Sequence, residues 1–391
     1  MTTENTHKVL NVPPLRFPEF SGEWEKCTLG EIMLYSTGRV LANTLSNENY
    51  ISTENMLSDF CGICKANNVP STGNVIVYQK GDILLSNIRP YLKKVWMANN
   101  CGGCSADVFV MKADNDKCIN DFLYYLVAND NFINYVMSGA KGIKMPRGDK
   151  AQIKKYQLSI PSKSEQYKIT EFLHNLDVRI TTQNKIIQHL ESLITGITQS
   201  VRDNATQKVL LRDVLTEKDE KNIGNHDVYS VSVSEGVINQ IDYLGRSFAA
   251  KETRNYNVVQ YGDIVYTKSP TGSFPYGIVK QSYIKEKAAV SPLYGVYKPV
   301  SFEVGYYLHH YFTSPIYTTN YLHKLIQKGA KNTINITNQR FLENYIPLPS
   351  PEVLEKYVAL VSAVTSKLEN EKQVLSKLKE QKNYLLSQMF I

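Results

Sequence analysis

The sequence predicts an α+β protein with a pseudo-two-fold internal repeat: two similar mixed α/β domains separated by two long helices packed as an antiparallel coiled coil. Three observations predict it. Short motifs recur in constant order: Gln79-Lys-Gly-Asp-Ile-Leu-Leu85 returns as Gln260-Tyr-Gly-Asp-Ile-Val-Tyr266, and Gly139-Ala-Lys141 as Gly329-Ala-Lys331. Tyr156 followed by Ile160-Pro-Ser162 returns as Tyr345 followed by Leu348-Pro-Ser350, so the offsets are 181, 190 and 188 residues. Drifting offsets in a fixed order mark two copies of one unit with loops of different length. Each copy also closes with a stretch whose apolar residues alternate by three and four. Finally, 391 residues leave room for two or three domains, each able to bury a core.

The elements follow in order. Residues 1–13 read as a tail, 14–161 as the first domain, 162–202 as the first long helix, 203–349 as the second domain and 350–391 as the second long helix. Gly-Asp turns precede β-branched runs at 83–85 and 264–266, and residues 75–78 and 228–231 also read as strands. A helical patch runs over 121–137 with Gly139 as its stop; its counterpart, from about 304 to 327, breaks near Pro315.

Both long helices have start signals. Ser162-x-x-Glu165 forms a capping box, in which side chains and orphan backbone N–H groups satisfy one another. Ser350 is a cap with Pro351 at the first helical position, where no N–H is missed. The first seam is Leu173, Leu176, Ile180, Gln183, Ile187, Leu190 and Ile194, continuing to Ile197 and Val201. The second is Leu354, Tyr357, Val361, Val364, Leu368, Glu371, Leu375 and Leu378, continuing through Lys382 to Met389. A repeat of 3.5 residues held this long belongs to a coiled coil. Gln183 and Glu371 are polar members near the helix centres, 188 residues apart. Antiparallel helices would bring them together as a register-fixing pair; otherwise both face water at a local splay.

Composition narrows the function. No apolar run approaches the ~18 residues of a membrane helix, and the N-terminus lacks the apolar core of a secretory signal. Six Cys in so long a chain are no disulfide framework. A cytoplasmic chain with no membrane partner is therefore expected. The net charge is +7, but its excess is local. Lys141, Lys144, Arg147, Lys150, Lys154 and Lys155 stand with one acid, Asp149; Lys324, Lys328, Lys331 and Arg340 stand with none between them. A single basic stretch is by default a solvated face. Two at matching places in two copies point to a polyanion.

Catalytic patterns are missing. Methyl transfer to adenine needs an Asn/Asp-Pro-Pro-aromatic motif, which Asn11-Val-Pro-Pro-Leu15 does not supply, and there is no phosphate-cradling Gly-x4-Gly-Lys-Ser/Thr loop. Asp219-x-Lys221 and Glu380-x-Lys382 lie in charged or helical runs where such triplets arise by chance. His309-His310 sits in an aromatic helix and reads as a pair of core or surface histidines. Cys61-Gly-Ile-Cys64 with Cys101-Gly-Gly-Cys104 has the formula of a structural zinc site. The 36-residue gap between the pairs, with no counterpart in the second domain, favours two cysteine turns that never meet. No catalytic residue, metal or cofactor of the chain's own is expected.

Certain residues also carry a family resemblance. Val12-Pro-Pro-Leu-Arg-Phe-Pro-Glu-Phe-x-Gly-x-Trp24 followed by Leu29-Gly-Glu-Ile32 resembles the opening of type I restriction–modification DNA-specificity subunits. Lys80-Gly-Asp-Ile-Leu-Leu-Ser-Asn-Ile-Arg-Pro-Tyr91 and Pro161-Ser-x-x-Glu-Gln-x-Lys-Ile169 do so too, whereas Pro351-Glu-Val-Leu-Glu355 departs from the Glu-Gln helix entry. The resemblance implies two target-recognition domains reading a bipartite duplex DNA sequence with a fixed gap. It implies two methyltransferase subunits and two restriction/translocase subunits as partners, which would hold S-adenosylmethionine, ATP and Mg²⁺. A helix of roughly 38 residues spans about 57 Å, an upper limit of about 17 base pairs, so the helices would act as a ruler. The competing class is a coiled-coil scaffold with repeated protein-binding domains and no DNA role; duplex affinity that falls with salt separates the two.

The DNA-contact candidates are Lys141, Lys144, Arg147 and Lys150 in the first domain and Lys328, Lys331, Asn332, Asn335 and Arg340 in the second. Ser86, Asn87, Arg89, Lys93 and Lys94, with the parallel Thr267, Lys268 and Ser269, are further candidates. Cations give salt-dependent, sequence-blind affinity, whereas Arg and Asn can also pair bidentately with guanine or adenine edges.

Overall fold

The computed structural model describes residues 11–114, 116–328 and 334–391. The chain divides into two compact units, residues 1–184 with 373–391 and residues 185–372, so both boundaries fall inside the long helices. Those helices are Lys163–Asp203 and Pro351–Met389. Among the described residues no helix is long and apolar enough to cross a membrane.

In the first unit, Glu25–Thr28 pairs with Gln157–Ile160 and closes the domain at the root of the first long helix. A four-stranded antiparallel sheet orders Met33–Tyr35, Val108–Ala113, Ile83–Ser86 and Val95–Met97. A second sheet orders Arg39–Leu41, Asn74–Tyr78, Gly102–Cys104 and Tyr50–Ile51, the last pair parallel. The helical patch forms two helices, Asn120–Val127 and Asp130–Ser138. The expected single helix is broken because the Asn129 side chain accepts from the Asn131 N–H at 2.9 Å and starts a new helix. Gly139 ends the second one.

The second unit repeats the plan. Gln207–Leu210 pairs with Tyr345–Leu348, and the main sheet orders Leu215–Glu217, Gly295–Pro299, Ile264–Tyr266 and Val279–Gln281. Helices Phe302–Tyr311 and Pro315–His323 follow, broken at Pro315 as expected but ending before Gln327. Tyr229–Ser232 forms a hairpin with Gly236–Asn239.

The repeated Gly-Asp turn has one physical basis in both units. Gly81 and Gly262 adopt φ of +90° and +87°, a region costly for side chains with a Cβ. The buried Asp82 and Asp263 carboxylates accept from the N–H groups of Gln79 and Gln260, at 2.7 and 2.9 Å.

The seam residues are buried or half-buried along both long helices, while their neighbours at other heptad positions are mostly exposed. Leu173 and Leu176 join Leu378, Leu385 and Met389 in the core of the first unit, with Ile180 against it. Lys382 pairs with Asp177 at 2.6 Å, and Ser159, just before the first helix, donates to Ile391 after the second. The two segments therefore run antiparallel. In the second unit Leu354, Tyr357 and Val361 belong to the core with Ile194, Ile197 and Val201 packed on it. Thr198 bonds Tyr357 at 2.8 Å and Lys372 lies 3.9 Å from Glu191, again antiparallel. Ile187 and Leu368 are buried; Leu190, Val364 and Leu375 are half-buried. Gln183 is buried in the first unit, and Glu371, in the second, pairs with Lys367 one turn before it.

The N-terminal motif is a clamp on these helices. The buried Glu165 carboxylate accepts from Arg16 Nε at 2.7 Å, Arg16 Nη2 at 2.8 Å and Trp24 Nε1 at 3.3 Å. Ser162 accepts from the Glu165 N–H at 3.4 Å, the helix-capping half of the expected box.

Candidate nucleic-acid interface

In the first domain the strand Ile83–Ser86 runs into a tight turn that carries Asn87 and Arg89. Arg89 and Lys93 both adopt left-handed backbone, with φ of +50° and +54°, flanking the turn Pro90–Leu92. Residues 141–147 form a narrow hairpin in which Lys141 and Arg147 exchange backbone hydrogen bonds at 3.0 and 2.9 Å. The two segments are stitched together. Arg89 N–H donates to Pro146 O at 2.8 Å, Gly148 N–H to Asn87 O at 3.1 Å, and Asn87 N–H to Asp107 O at 2.8 Å. Two stretches more than fifty residues apart thus form one basic promontory holding Asn87, Arg89, Lys141, Lys144, Arg147 and Lys150.

Its charges differ in what holds them. Arg147 lies 3.3 Å from Asp107, and Lys141 3.6 Å from Asp149. Lys150 sits over the rings of Tyr35 and Phe109, 4.9 Å from each centroid. Asp149 caps the helix Lys150–Lys154 through the N–H groups of Ala151 and Gln152, and these bonds hold its carboxyl below the usual range. Arg89 and Lys144 are exposed and have no ion-pair partner among the described residues. They are the cations most available to a polyanion.

Four other candidates, Ser86, Thr267, Lys93 and Lys94, make contacts within their own domains. Ser86 is buried and its hydroxyl donates to Ile88 O at 2.9 Å. Thr267, its counterpart, is buried and accepts from the Ile278 N–H at 3.1 Å. Both hydroxyls pin a strand end and present nothing at the surface. Lys93 pairs with Asp130 at 2.8 Å and lines a groove of about 520 Å³ within the first unit, beside Asp59, Asp177 and Lys382. Lys94 donates to Thr53 O at 2.6 Å. These two cations are committed internally.

In the second domain Lys268 is left-handed at φ +61° and partly buried beside Glu217; burial lowers its pKa. Ser269 is exposed. Arg340, on the short helix Asn338–Phe341 capped by Thr337, is paired with Glu343. Lys328 and Asn335 lie on the paired strands Gln327–Lys328 and Ile334–Asn335; Lys331 and Asn332 fall outside the described residues.

Lys141 faces Arg147 and Lys328 faces Ile334, pairs that are 187 residues apart in the chain. Gly329-Ala-Lys331, the expected counterpart of Gly139-Ala-Lys141, lies outside the described residues. Sequence reasoning passed over Ile143 and Met145, both exposed at the tip of the 141–147 loop. Apolar residues inside a Gly- and Pro-bounded basic stretch were the available signal.

Among the described residues no three His, Cys, Asp or Glu side chains are grouped to hold an ion. Cys61, Cys64 and Cys101 are exposed, while Cys104 is buried, its thiol pushed up to about 12 by desolvation. His309 is half-buried, its Nδ1 accepting from Gln281 N–H at 3.0 Å.

Comparison with known proteins shows what this chain is similar to. Residues 21–192 match the profile of the type I restriction modification DNA specificity domain. The EcoDI specificity subunit of Escherichia coli is 26% identical over 124 residues, 32% of this chain and 27% of that protein. The MjaVIII specificity subunit of Methanocaldococcus jannaschii is 28% identical over 197 residues, 47% of this chain and 42% of its own length. The aligned stretches thus span less than half of these curated relatives. The fold of the type I restriction–modification S subunit from M. genitalium superposes with a TM-score of 0.58 at 15% identity, over 97% of this chain and 99% of that one. A structure describing complex assembly and conformational transition of the type I R–M system superposes with a TM-score of 0.53 at 15% identity, over 93% and 96%. Residues 21–192 are thus similar to the type I restriction modification DNA specificity domain, and the chain as a whole shares the fold of a solved S subunit.

Proposed function

We propose that this chain is the sequence-reading subunit of a type I restriction–modification complex. Each domain reads half of a bipartite duplex target, and the long helices hold the gap between the halves fixed. The observation that carries the reading is the promontory of the first domain, where Arg89 and Lys144 stand unpaired on a stitched loop pair. A strand pair, Gln327–Lys328 with Ile334–Asn335, lies at the matching place in the second domain. Rigid backbone with free cations positions a protein on phosphates; side chains at its edge then read bases.

Methyl transfer and cleavage are assigned to partners: two methyltransferase subunits and two restriction/translocase subunits, with S-adenosylmethionine, ATP and Mg²⁺ bound there. The chain itself acts without catalysis, in agreement with the missing motifs. Supporting the partnership is the likeness in fold to a solved structure concerned with complex assembly of a type I R–M system.

Selection of a random-sequence duplex library by the full chain with its methyltransferase partner tests the proposal. The recovered sequences should share two short elements separated by a spacer of constant length. Binding should weaken with salt, and Lys144→Ala should lower the slope of log affinity against log salt by about 0.9. One contiguous element, or salt-insensitive binding, would overturn it.

A further inference from the structure

The tip of the first hairpin carries apolar side chains that neither core uses. Ile143 is fully exposed, at 102%, and Met145 at 46%. Neither belongs to the hydrophobic clusters of the first unit. A single exposed apolar residue signifies little, but these two alternate with Lys144 at the apex of a hairpin. That apex is held from below, through Pro146 O and the Arg89 N–H at 2.8 Å, so its stance is fixed before any partner arrives.

The shape of the element selects its counterpart. At its single bridge, Lys141 to Arg147, the two arms of the loop are about 4.8 Å apart before side chains are counted. The major groove, ~12 Å wide, admits such a ribbon; the minor groove, ~6 Å wide, does not. With Lys144 and Arg89 available to phosphates, the apex would enter the major groove, where the thymine 5-methyl is the apolar feature on a base edge. We propose that Ile143, supported by Met145, packs against a thymine 5-methyl group and so sets part of the sequence read by the first domain. The inference rests on the DNA-reading function proposed above.

The second domain offers a contrast within one chain. Counted along the sequence from Lys141 and from Lys328, Gly142-Ile-Lys-Met-Pro146 aligns with Gly329-Ala-Lys-Asn-Thr333. The lysine is kept while Ile becomes Ala and Met becomes Asn. Dependence on a methyl group at a hairpin apex should therefore be confined to one half of the target.

The test uses duplexes recovered by the selection above, with each thymine in turn replaced by uracil. Uracil keeps every hydrogen-bonding group and loses only the methyl. The wild-type complex should bind about fourfold more weakly at one or two positions of one half-site, from ~0.8 kcal/mol per buried CH₂-sized group. Ile143→Ser should bind the thymine duplex more weakly and lose no more on uracil substitution, whereas Ile143→Leu should keep the methyl dependence. Ile143 is fully exposed, so neither change threatens folding. Salt-dependent binding that is indifferent to uracil throughout, or an unchanged uracil effect in Ile143→Ser, would overturn this proposal alone. Loss of all salt-dependent duplex binding would overturn the DNA-reading function with it.

Discussion

On the inner face of the first domain's sheet, Leu85 sits opposite Phe109; at the same register in the second domain Tyr266 sits opposite Gly295. Met111 opposite Ile83 becomes Tyr297 opposite Ile264. Bulk has moved across the strand pair: a Cβ added at Gly295 would come within 2.4 Å of the Tyr297 hydroxyl. The first core is largely aliphatic and Phe-rich and has few polar groups to satisfy. The second buries several Tyr hydroxyls, each of which needs a partner. Tyr266 donates to Tyr276 O at 2.8 Å, Tyr297 to Asn338 O at 3.0 Å, Tyr307 to Pro347 O at 3.0 Å and Tyr321 to Phe341 O at 2.6 Å. One topology thus tolerates two core chemistries, and in the second the core also fixes the turns around Lys268 and Arg340.

The hub of the second core offers the largest break in this comparison. Phe341 is fully buried and stacks on Tyr266 and Tyr297, with ring centroids 4.5 and 5.0 Å away. Phe341→Ala should cost about 3–5 kcal/mol. Hydrogen exchange should show lost protection in the strands of the second domain and little change at residues 25–160. Equal loss in both would mean that the two cores are not separate.

Acid should also divide the domains. His309 and His310 are half-buried on the helix Phe302–Tyr311, whereas the first domain's helix Asn120–Val127 carries no histidine. Burial first, then the nearby Lys280 charge, lowers His310 to about 4; burial holds His309 well below 6.5. An unfolded chain would protonate these rings near 6.5. The stability they contribute is therefore complete above pH 6.5 and is lost as pH falls from there through about 4. For His310 that amounts to about 3 kcal/mol. Urea titrations at pH 7.5 and 5.0 should show the second domain weakening more than the first, and His310→Phe should flatten the difference. A pH-independent second transition would contradict the assignment.

The smallest expected effect sharpens the contrast in core chemistry. Tyr297→Phe leaves Asn338 O without its donor and should cost about 1 kcal/mol. Met111→Leu at the matching position strands no polar group and should cost less than about 1.5 kcal/mol through packing alone. The two differ in hydrogen exchange at residues 338–341, which only the tyrosine change should accelerate.

The heptads were legible because their period is local: each seam residue from Leu173 to Ile194 and from Leu354 to Leu378 follows from its neighbours three and four positions away. The Gly-Asp turn was legible for a similar reason, since Asp82 bonds a backbone group only three residues before it. The break at Asn129 was missed because an interior cap competes with an apolar pattern that runs through it. Ser86 and Thr267 looked like surface hydroxyls, yet their burial depends on strands and turns brought in from elsewhere in the chain.

By itself the sequence determined the doubled plan, the two long helices and the placement of positive charge, all properties that short stretches of chain carry alone. Only the tertiary structure decided which cations remain available. Asp107 meets Arg147, and Asp130 meets Lys93, across long stretches of sequence, while Arg89 and Lys144 meet no acid among the described residues. It also decided the pairing of Lys141 with Arg147 and of Lys328 with Ile334. Ion pairs and strand pairing join residues distant in sequence, and no local pattern encodes which distant partner folding will supply.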